Sequence, residues 1–503
     1  MTPYVRQAVV VVHGMGEQLP LTTLTGFIDT ALVPDRDGGR TYYSRPESVT
    51  GSYESRRFLA PPLVEDGQER RAHTEFFEYH WSHLMQGNRL DDLWPTFRRM
   101  LLQWPTRVPR GLKVVWLLAW GLILFAAWAA VWGPWRGRIL GQEDVLAAVV
   151  GALVSGGVAA AVLSYVFSRV LPSWLTSSFV DVVRYLDTSP RSYAVRREIR
   201  KGLVEMLQAL QDYGREPGSA HAGRSYDRII IVAHSLGGFI AYDAVSYLWG
   251  RHNGKVAGNG TPGPLAGLEE LERAASDLPE AGPASADAVT LYQGAQRALW
   301  RGLRAQGNPW IITDLVTVGT PMYFADQLLH GKGARSFARR IERRELPTCP
   351  PQNEEEPGNN IHHTRRFYSW GKVVKEKAPD GSWVRIPRRV LYEGAPFAVV
   401  RWTNLWFPAR GSFFGDWFGG PLAPLFGPGI RDVPLTGNTL GSPGTALWRH
   451  RGVPAAAHSY YFSFPDDDSP GSAAHEIREG LDLASTAWVA GGAGGVPSPV
   501  AGP

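Results

Sequence analysis

Apolar residues fall along this chain in two short periods and in two long unbroken runs. β-Branched stretches predict strands at Ala8–Val12, Ile229–Val232, Ile312–Val318 and Ala398–Trp402. A further strand is expected at Glu75–Trp81, where Glu75, Phe77, Tyr79 and Trp81 alternate with other residues. Three- and four-residue spacing predicts helix from Ser177 to near Leu210, carried by Phe179, Val182, Val183, Leu186, Ile199, Leu203 and Met206. Helices are also expected at Phe239–Leu248 and Glu476–Trp488, and a β-hairpin around Asp380-Gly381. Strands alternating with helices imply an α/β fold with a mostly parallel sheet.

The two long runs change this picture. No charge lies between Lys113 and Arg136, or between Asp144 and Arg169. Each run is as long as the ~20 residues that cross a bilayer core. The expectation is a transmembrane helical hairpin over 106–175, with helices at about 114–135 and 145–168. Gly151, Ser155 and Ala159 form a small-residue face for close helix packing. Trp116, Trp120, Trp128, Trp132, Trp135 and Trp174 include residues suited to the headgroup level. Arg107, Arg110 and Lys113 before the first run and Arg169 after the second favour a cytoplasmic globular part. The chain then divides into 1–105 and 176–489 as one interrupted core, with 106–175 inserted. Residues 251–308 and 344–395 read as further insertions, the first loosely ordered with some helix. The Gly/Pro-rich tail 490–503 reads as disordered. Ala8–Val12 is too short for a signal peptide.

Composition excludes several function classes. With 52 Lys and Arg against 47 Asp and Glu, the net charge is +5. The basic excess lies beside apolar runs, which suits membrane phosphates better than nucleic acid. The single cysteine, Cys349, excludes an intrachain disulfide framework. His80 and His83 lie near Glu75 and Glu78, and His362-His363 sits in a polar loop, but none has the closed spacing of a zinc site.

The strongest chemical signal is Ile229-Ile-Ile-Val-Ala233-His234-Ser235-Leu236-Gly237-Gly238. A β-branched strand ends in small residues around a serine, and an amphipathic helix follows. A sharp strand–serine–helix turn needs such neighbours, because bulky Cβ groups would collide there. The turn lifts the Ser235 hydroxyl above the sheet at a helix N-terminus, where negative charge is favoured. Val9-Val-Val-Val-His13-Gly14-Met15-Gly16 is a second strand breaking into a glycine turn. Its backbone N–H groups suit a developing oxyanion, and the assigned donors are the N–H of Met15 and of Leu236.

These segments, with Val316-Thr-Val-Gly319-Thr-Pro321, resemble the α/β-hydrolase superfamily, in particular its lipase/esterase-like members. Ala233 stands where the usual motif has Gly. The resemblance covers the core pieces only, not the apolar runs or the insertions. It implies the order Ser, then Asp or Glu, then His. The loop after Trp402, running Asn404, Pro408, Gly415, Asp416, Gly419, Gly420, looks like the acid loop of related proteins, so Asp416 is implied as the carboxylate, with Asp432 as the alternative. His458, ahead of the last helix, is implied as the base; His450 lies between Arg449 and Arg451, which oppose an imidazolium. His13, Gly14, Gly16, His234, Gly237 and Gly238 support the two turns, His234 as a packing residue behind the nucleophile.

The expectation is an integral membrane serine hydrolase with its catalytic domain facing the cytoplasm. It would cleave carboxylic esters through an acyl-enzyme, with no metal or organic cofactor. Its partners would be the bilayer and a lipid or lipid-like ester, not nucleic acid. Two alternatives stay open: a thioesterase or amidase with the same triad, and a catalytically silent hydrolase fold serving as an interaction module at the membrane.

Overall fold

A computed structural model describes residues 5–14, 21–33, 42–50, 56–60, 64–65, 68–69, 72–85, 101–108, scattered positions in 113–128 and 181–186, and 190–218, 221–255, 265–280, 282–329, 334–352, 369–378, 380–408, 415–435 and 456–485. The strands are β1 Val5–Val12, β2 Tyr43–Pro46, β3 Arg56–Ala60, β4 Val64–Glu65, β5 Gln68–Glu69, β6 Ala72–Tyr79, β7 Arg228–His234, β8 Ile312–Val318, β9 Ser369–Lys377, β10 Trp383–Leu391, β11 Arg401–Trp406 and β12 Arg431–Pro434. The helices are α1 Thr22–Ala31, α2 Pro190–Asp212, α3 Gly237–His252, α4 Leu268–Ser276, α5 Ala286–Ala305, α6 Ala325–Leu328, α7 Ala334–Glu342, α8 Ala423–Phe426 and α9 Ala473–Leu481.

The fold is mixed α/β. Eight strands form one sheet in the order β12-β11-β8-β7-β1-β6-β3-β2. The strands from β12 to β6 run parallel, and β3 and β2 continue antiparallel at one edge. β-Branched runs at the centre explain the arrangement. Ala8, Val10 and Val12 of β1 enter one apolar cluster with Ile229, Ile231 and Ala233 of β7, while Val9, Val11, Ile230 and Val232 enter another. Both faces of the central strands are therefore buried, which is why Ala8–Val12 and Ile229–Ala233 are apolar throughout rather than alternating. Helices α2, α3 and α5 cover the first face, and α1 and α9 the second.

A polar cluster closes the sheet at the amino ends of its strands. Arg228 is fully buried; it donates to Asp314 Oδ2 at 2.8 Å, to Leu481 O at 2.9 Å and to Asp482 O at 3.1 Å. It thereby satisfies carbonyls at the C-terminus of α9, where a cation is favoured. Asp314 also accepts from Arg401 Nε at 2.7 Å.

Several expectations need correction. The transmembrane hairpin and the integral-membrane localisation are not supported: among the described residues, no helix is long and apolar enough to cross a membrane. Most of 114–168 lies outside the described residues. That expectation rested chiefly on length and absence of charge, which a span requires but which do not set what a segment packs against. Where the first run is described, the indoles of Trp116 and Trp120 donate to Leu101 O at 3.0 and 2.8 Å, so a protein carbonyl holds them. The described parts of 251–308 hold more helix than expected. α4 and α5 lie there, and α5 buries Val289, Tyr292, Leu299 and Trp300 in the core. The strand expected at Ala398–Trp402 begins instead at Arg401, after a 3₁₀ turn at Pro396–Ala398. The apolar run there marks burial rather than extension; the strand proper includes the polar Asn404, whose Oδ1 accepts from the Thr317 hydroxyl on β8 at 3.0 Å. The closing helix stops at Leu481, where Asp482 turns left-handed at φ 46°. The hairpin around Asp380-Gly381 is present as β9 and β10.

Candidate active site

The chain order reverses at the centre of the sheet. From β1 it runs outward through β6 on one side, and from β7 through β8, β11 and β12 on the other. Such a reversal leaves a crevice beyond the carboxyl ends of the strands, where α/β sheets bind ligands. His13-Gly14 leaves β1 at this edge, Ser235 leaves β7, Gly319 leaves β8 and Phe407 leaves β11.

Ser235 has φ 54°, in the left-handed region that costs a non-glycine residue about 1–3 kcal/mol. Its N–H donates to Val318 O at 2.9 Å, and its carbonyl accepts from Gly238 N at 3.0 Å, so neighbouring strand and helix hold the strained turn. The flanking glycines are required by contact. A Cβ on Gly237 would lie 2.5 Å from Val12 O; one on Gly14 would lie 2.6 Å from His234 Nδ1 and 3.0 Å from Ser235 Cβ. At Gly238 a Cβ would strike Thr320.

Ser235, Asp416 and His458 are brought together although 223 residues separate the serine from the histidine and 42 the histidine from the aspartate. All three are buried. His458 sits in the 3₁₀ turn Ala456–Ser459, with its Nε2 2.9 Å from Ser235 Oγ. Its Nδ1 lies 3.0 Å from Asp416 Oδ1 and 3.1 Å from Oδ2. A carboxylate only accepts, so Nδ1 carries a hydrogen, and with one hydrogen on the ring Nε2 accepts from the serine hydroxyl. Asp416 is held from three further directions. Phe418 N–H donates to Oδ1 at 2.7 Å, Tyr461 O–H donates to Oδ2 at 2.6 Å, and the Asp416 N–H donates to Phe407 O at 3.2 Å. Gly319 and Gly419 let the backbone approach, since a Cβ on either would lie 2.8 or 2.6 Å from Asp416 Oδ2. The Phe418 ring packs on His458 at 5.1 Å between centroids.

Leu236 precedes the first turn of α3. Its N–H is among the helix-end donors that have no intrahelical acceptor and carry the positive end of the dipole. Met15 and Gly16 lie outside the described residues. His13 is buried and stacked on Trp81 at 5.0 Å. Trp81 N–H donates to its Nε2 at 3.1 Å, so Nδ1 carries the hydrogen and donates to Gly14 O at 2.8 Å. Burial, with His80 and His83 nearby, pulls its pKa down to about 3, so the ring stays neutral. His234 is partly buried; its Nε2 donates to His458 O at 3.0 Å. Desolvation and the neighbouring His458 pull it down to about 3 as well.

The alternative acid, Asp432, faces elsewhere. Its Oδ1 accepts from Asn404 Nδ2 at 2.7 Å and Leu422 N at 3.0 Å, and its Oδ2 from Ala423 N at 2.7 Å. It satisfies the start of α8 and ties it to β11. Among the described residues, no group of three or more His, Cys, Asp or Glu is arranged to hold a metal ion. The rings of His80 and His83 stack on one another at 5.9 Å. His362-His363 and His450 lie outside the described residues. Cys349 is fully buried, and burial pushes its thiol up, away from the nucleophilic thiolate. Tyr461 was not singled out by sequence; its only signal was its place one turn beyond His458.

No protein-family model, curated protein or solved structure matches the chain.

Proposed function

We propose that the protein is a serine hydrolase of the α/β-hydrolase type that cleaves carboxylic esters. One observation carries the reading: Nε2 of His458, whose Nδ1 faces the Asp416 carboxylate, lies 2.9 Å from the hydroxyl of a serine held at φ 54°. A structural serine capping a helix needs neither the backbone strain nor an imidazole oriented by a carboxylate. The nucleophile at the reversal point of a parallel sheet, and the chain order Ser235, Asp416, His458, support the same reading.

In the proposed reaction Ser235 Oγ attacks the ester carbonyl carbon while His458 Nε2 takes the hydroxyl proton. Asp416 holds the imidazole in the required tautomer and offsets the charge of the imidazolium. The Leu236 and Met15 N–H groups are the proposed donors to the oxyanion. The tetrahedral adduct expels the alcohol, which receives the proton from His458. Water then attacks the acyl-serine carbonyl while His458 again takes the proton, and as the C–Oγ bond breaks His458 returns that proton to Ser235 Oγ and the carboxylic acid leaves. The lipid substrate expected from sequence rested on the spanning hairpin, so the proposal is confined to the ester bond.

A fluorophosphonate probe tests this. The full chain should be labelled at Ser235, and Ser235→Ala should not. Absence of labelling in the wild type, or equal labelling in both, overturns the reading.

A further inference from the structure

We propose that His234 is a positioning residue for His458, a role that rests on the serine-hydrolase reading above. His234 is the last residue of β7 and the chain neighbour of Ser235. The acceptor of its Nε2–H is the backbone carbonyl of His458, at 3.0 Å, rather than any side chain. A carbonyl only accepts, so the hydrogen is on Nε2 and Nδ1 is bare. That bare edge faces Gly14, where a Cβ would lie 2.6 Å from Nδ1. The ring packs beside the His458 ring at 4.9 Å, and the edges of Tyr461 and Phe462 close on it at 5.7 and 5.8 Å. The imidazole is therefore fixed in place on several sides, and its one donated hydrogen bond reaches the turn that carries the proposed base.

The consequence is geometric. Residues 234 and 235 are adjacent on one strained turn. One contacts the main chain of His458 at 3.0 Å and the other its side chain at 2.9 Å. Strand β7 thus fixes where the backbone of the base lies as well as where the nucleophile lies. Asp416 sets the orientation of the His458 ring but not the height of its backbone above the sheet; His234 supplies that constraint. A displacement of about 1 Å between reacting groups costs up to ~10²-fold in rate.

The test uses three variants of the full chain and an activated ester substrate. His234→Phe keeps a ring but removes the donor. His234→Asn places an amide N–H one bond short of Nε2, and His234→Gln restores it at the same bond count from Cβ. The expected result is a fall in kcat of about 10- to 100-fold for H234F and H234N, with KM little changed, and recovery to within a few-fold in H234Q. Thermal melts of H234N and H234Q should coincide, so that the kcat difference between these two amides reads position rather than folding. Wild-type kcat in folded H234N, or equal losses in H234N and H234Q, overturns the role even where H234F fails to fold. A wild-type chain that neither turns over ester nor reacts with fluorophosphonate removes the hydrolase reading and this role with it. A reactive wild type with indifferent variants removes the role alone.

Discussion

The hydroxyl of Tyr461 donates to Asp416 Oδ2 at 2.6 Å and accepts from the Phe407 N–H at 3.1 Å. One buried phenol therefore ties the carboxylate to the end of β11, and Tyr461 leaves the same turn as His458. Its ring also packs against Phe407 at 4.8 Å. Tyr461→Phe keeps that packing and removes both hydrogen bonds. The Phe407 N–H loses its acceptor, which costs on the order of 1–3 kcal/mol when buried. Asp416 loses one of its orienting donors, so ester turnover should fall several-fold. Denaturant unfolding and steady-state kinetics read the two effects separately; an unchanged kcat would show that Phe418 N–H and the backbone orient Asp416 sufficiently.

The two candidate acids should separate cleanly. Asp416→Asn offers His458 Nδ1–H a weaker acceptor and favours the wrong tautomer, so kcat should drop by ~10³- to 10⁴-fold with the fold intact. Asp432→Asn keeps one acceptor oxygen but weakens the start of α8. It should cost about 1–3 kcal/mol of stability and leave turnover of the folded protein near wild type. Similar kinetics for both variants would contradict this division.

Gly237→Ala should be poorly tolerated despite being a single methyl. The new Cβ would sit 2.5 Å from Val12 O, a backbone atom of the central strand that cannot turn aside. A loss of about 1–3 kcal/mol is expected, together with reduced fluorophosphonate labelling as Ser235 shifts. Gly250→Ala, where a Cβ meets nothing within 4 Å, serves as the helix control and should not destabilise α3. Equal stability of the two variants would refute the close approach of α3 to β1.

Acid should destabilise the fold before its carboxylates titrate. His13 binds a proton only near pH 3 when folded, against 6.5 for an ordinary histidine. Between those values the unfolded chain carries more protons, so stability falls as pH drops through this window and is flat above it. His234, lowered to about 3 by burial and the neighbouring His458, acts in the same direction. Glu75 extends the loss to lower pH. Burial opposes its charge, but hydrogen bonds from His73 and Tyr226 and the cation of Arg6 outweigh that and hold it at about 2, against 4.5 ordinarily. Urea midpoints should decline between neutral pH and about pH 4, and His13→Gln should flatten the upper part of the decline. A wild-type midpoint constant across that range would refute neutral His13.

Arg228→Met removes a fully buried cation and takes one ion-pair partner from buried Asp314, which keeps its pair with Arg401. It also leaves the Leu481 and Asp482 carbonyls without that donor. Breaking a buried pair from one side costs about 3–5 kcal/mol, so unfolding midpoints should fall sharply while the distant site, at the other end of the strands, keeps its chemistry. Wild-type stability would mean that water replaces the guanidinium.

The parallel strands, the turn at Ser235 and the turn at His13-Gly14 were legible from sequence because each is a local matter. Apolar runs set burial, and small residues mark where a backbone must bend sharply. The grouping of Asp416 and Ser235 with His458 joins segments 42 and 223 residues apart, and Asp432, which caps α8 from nine and ten residues away, is tied to β11 across 28. No local pattern encodes those distances; the packed sheet decides them by setting which strand ends lie side by side. The same holds for Tyr461, Arg228 and the backbone bond made by His234, whose partners are met only in three dimensions. The apolar runs at 114–168 mark the opposite limit: hydropathy reports an affinity for apolar surroundings and not which neighbours a segment meets, and where the first run is described Leu117, Leu124 and Trp128 are exposed and, among the described residues, no helix is long and apolar enough to cross a membrane.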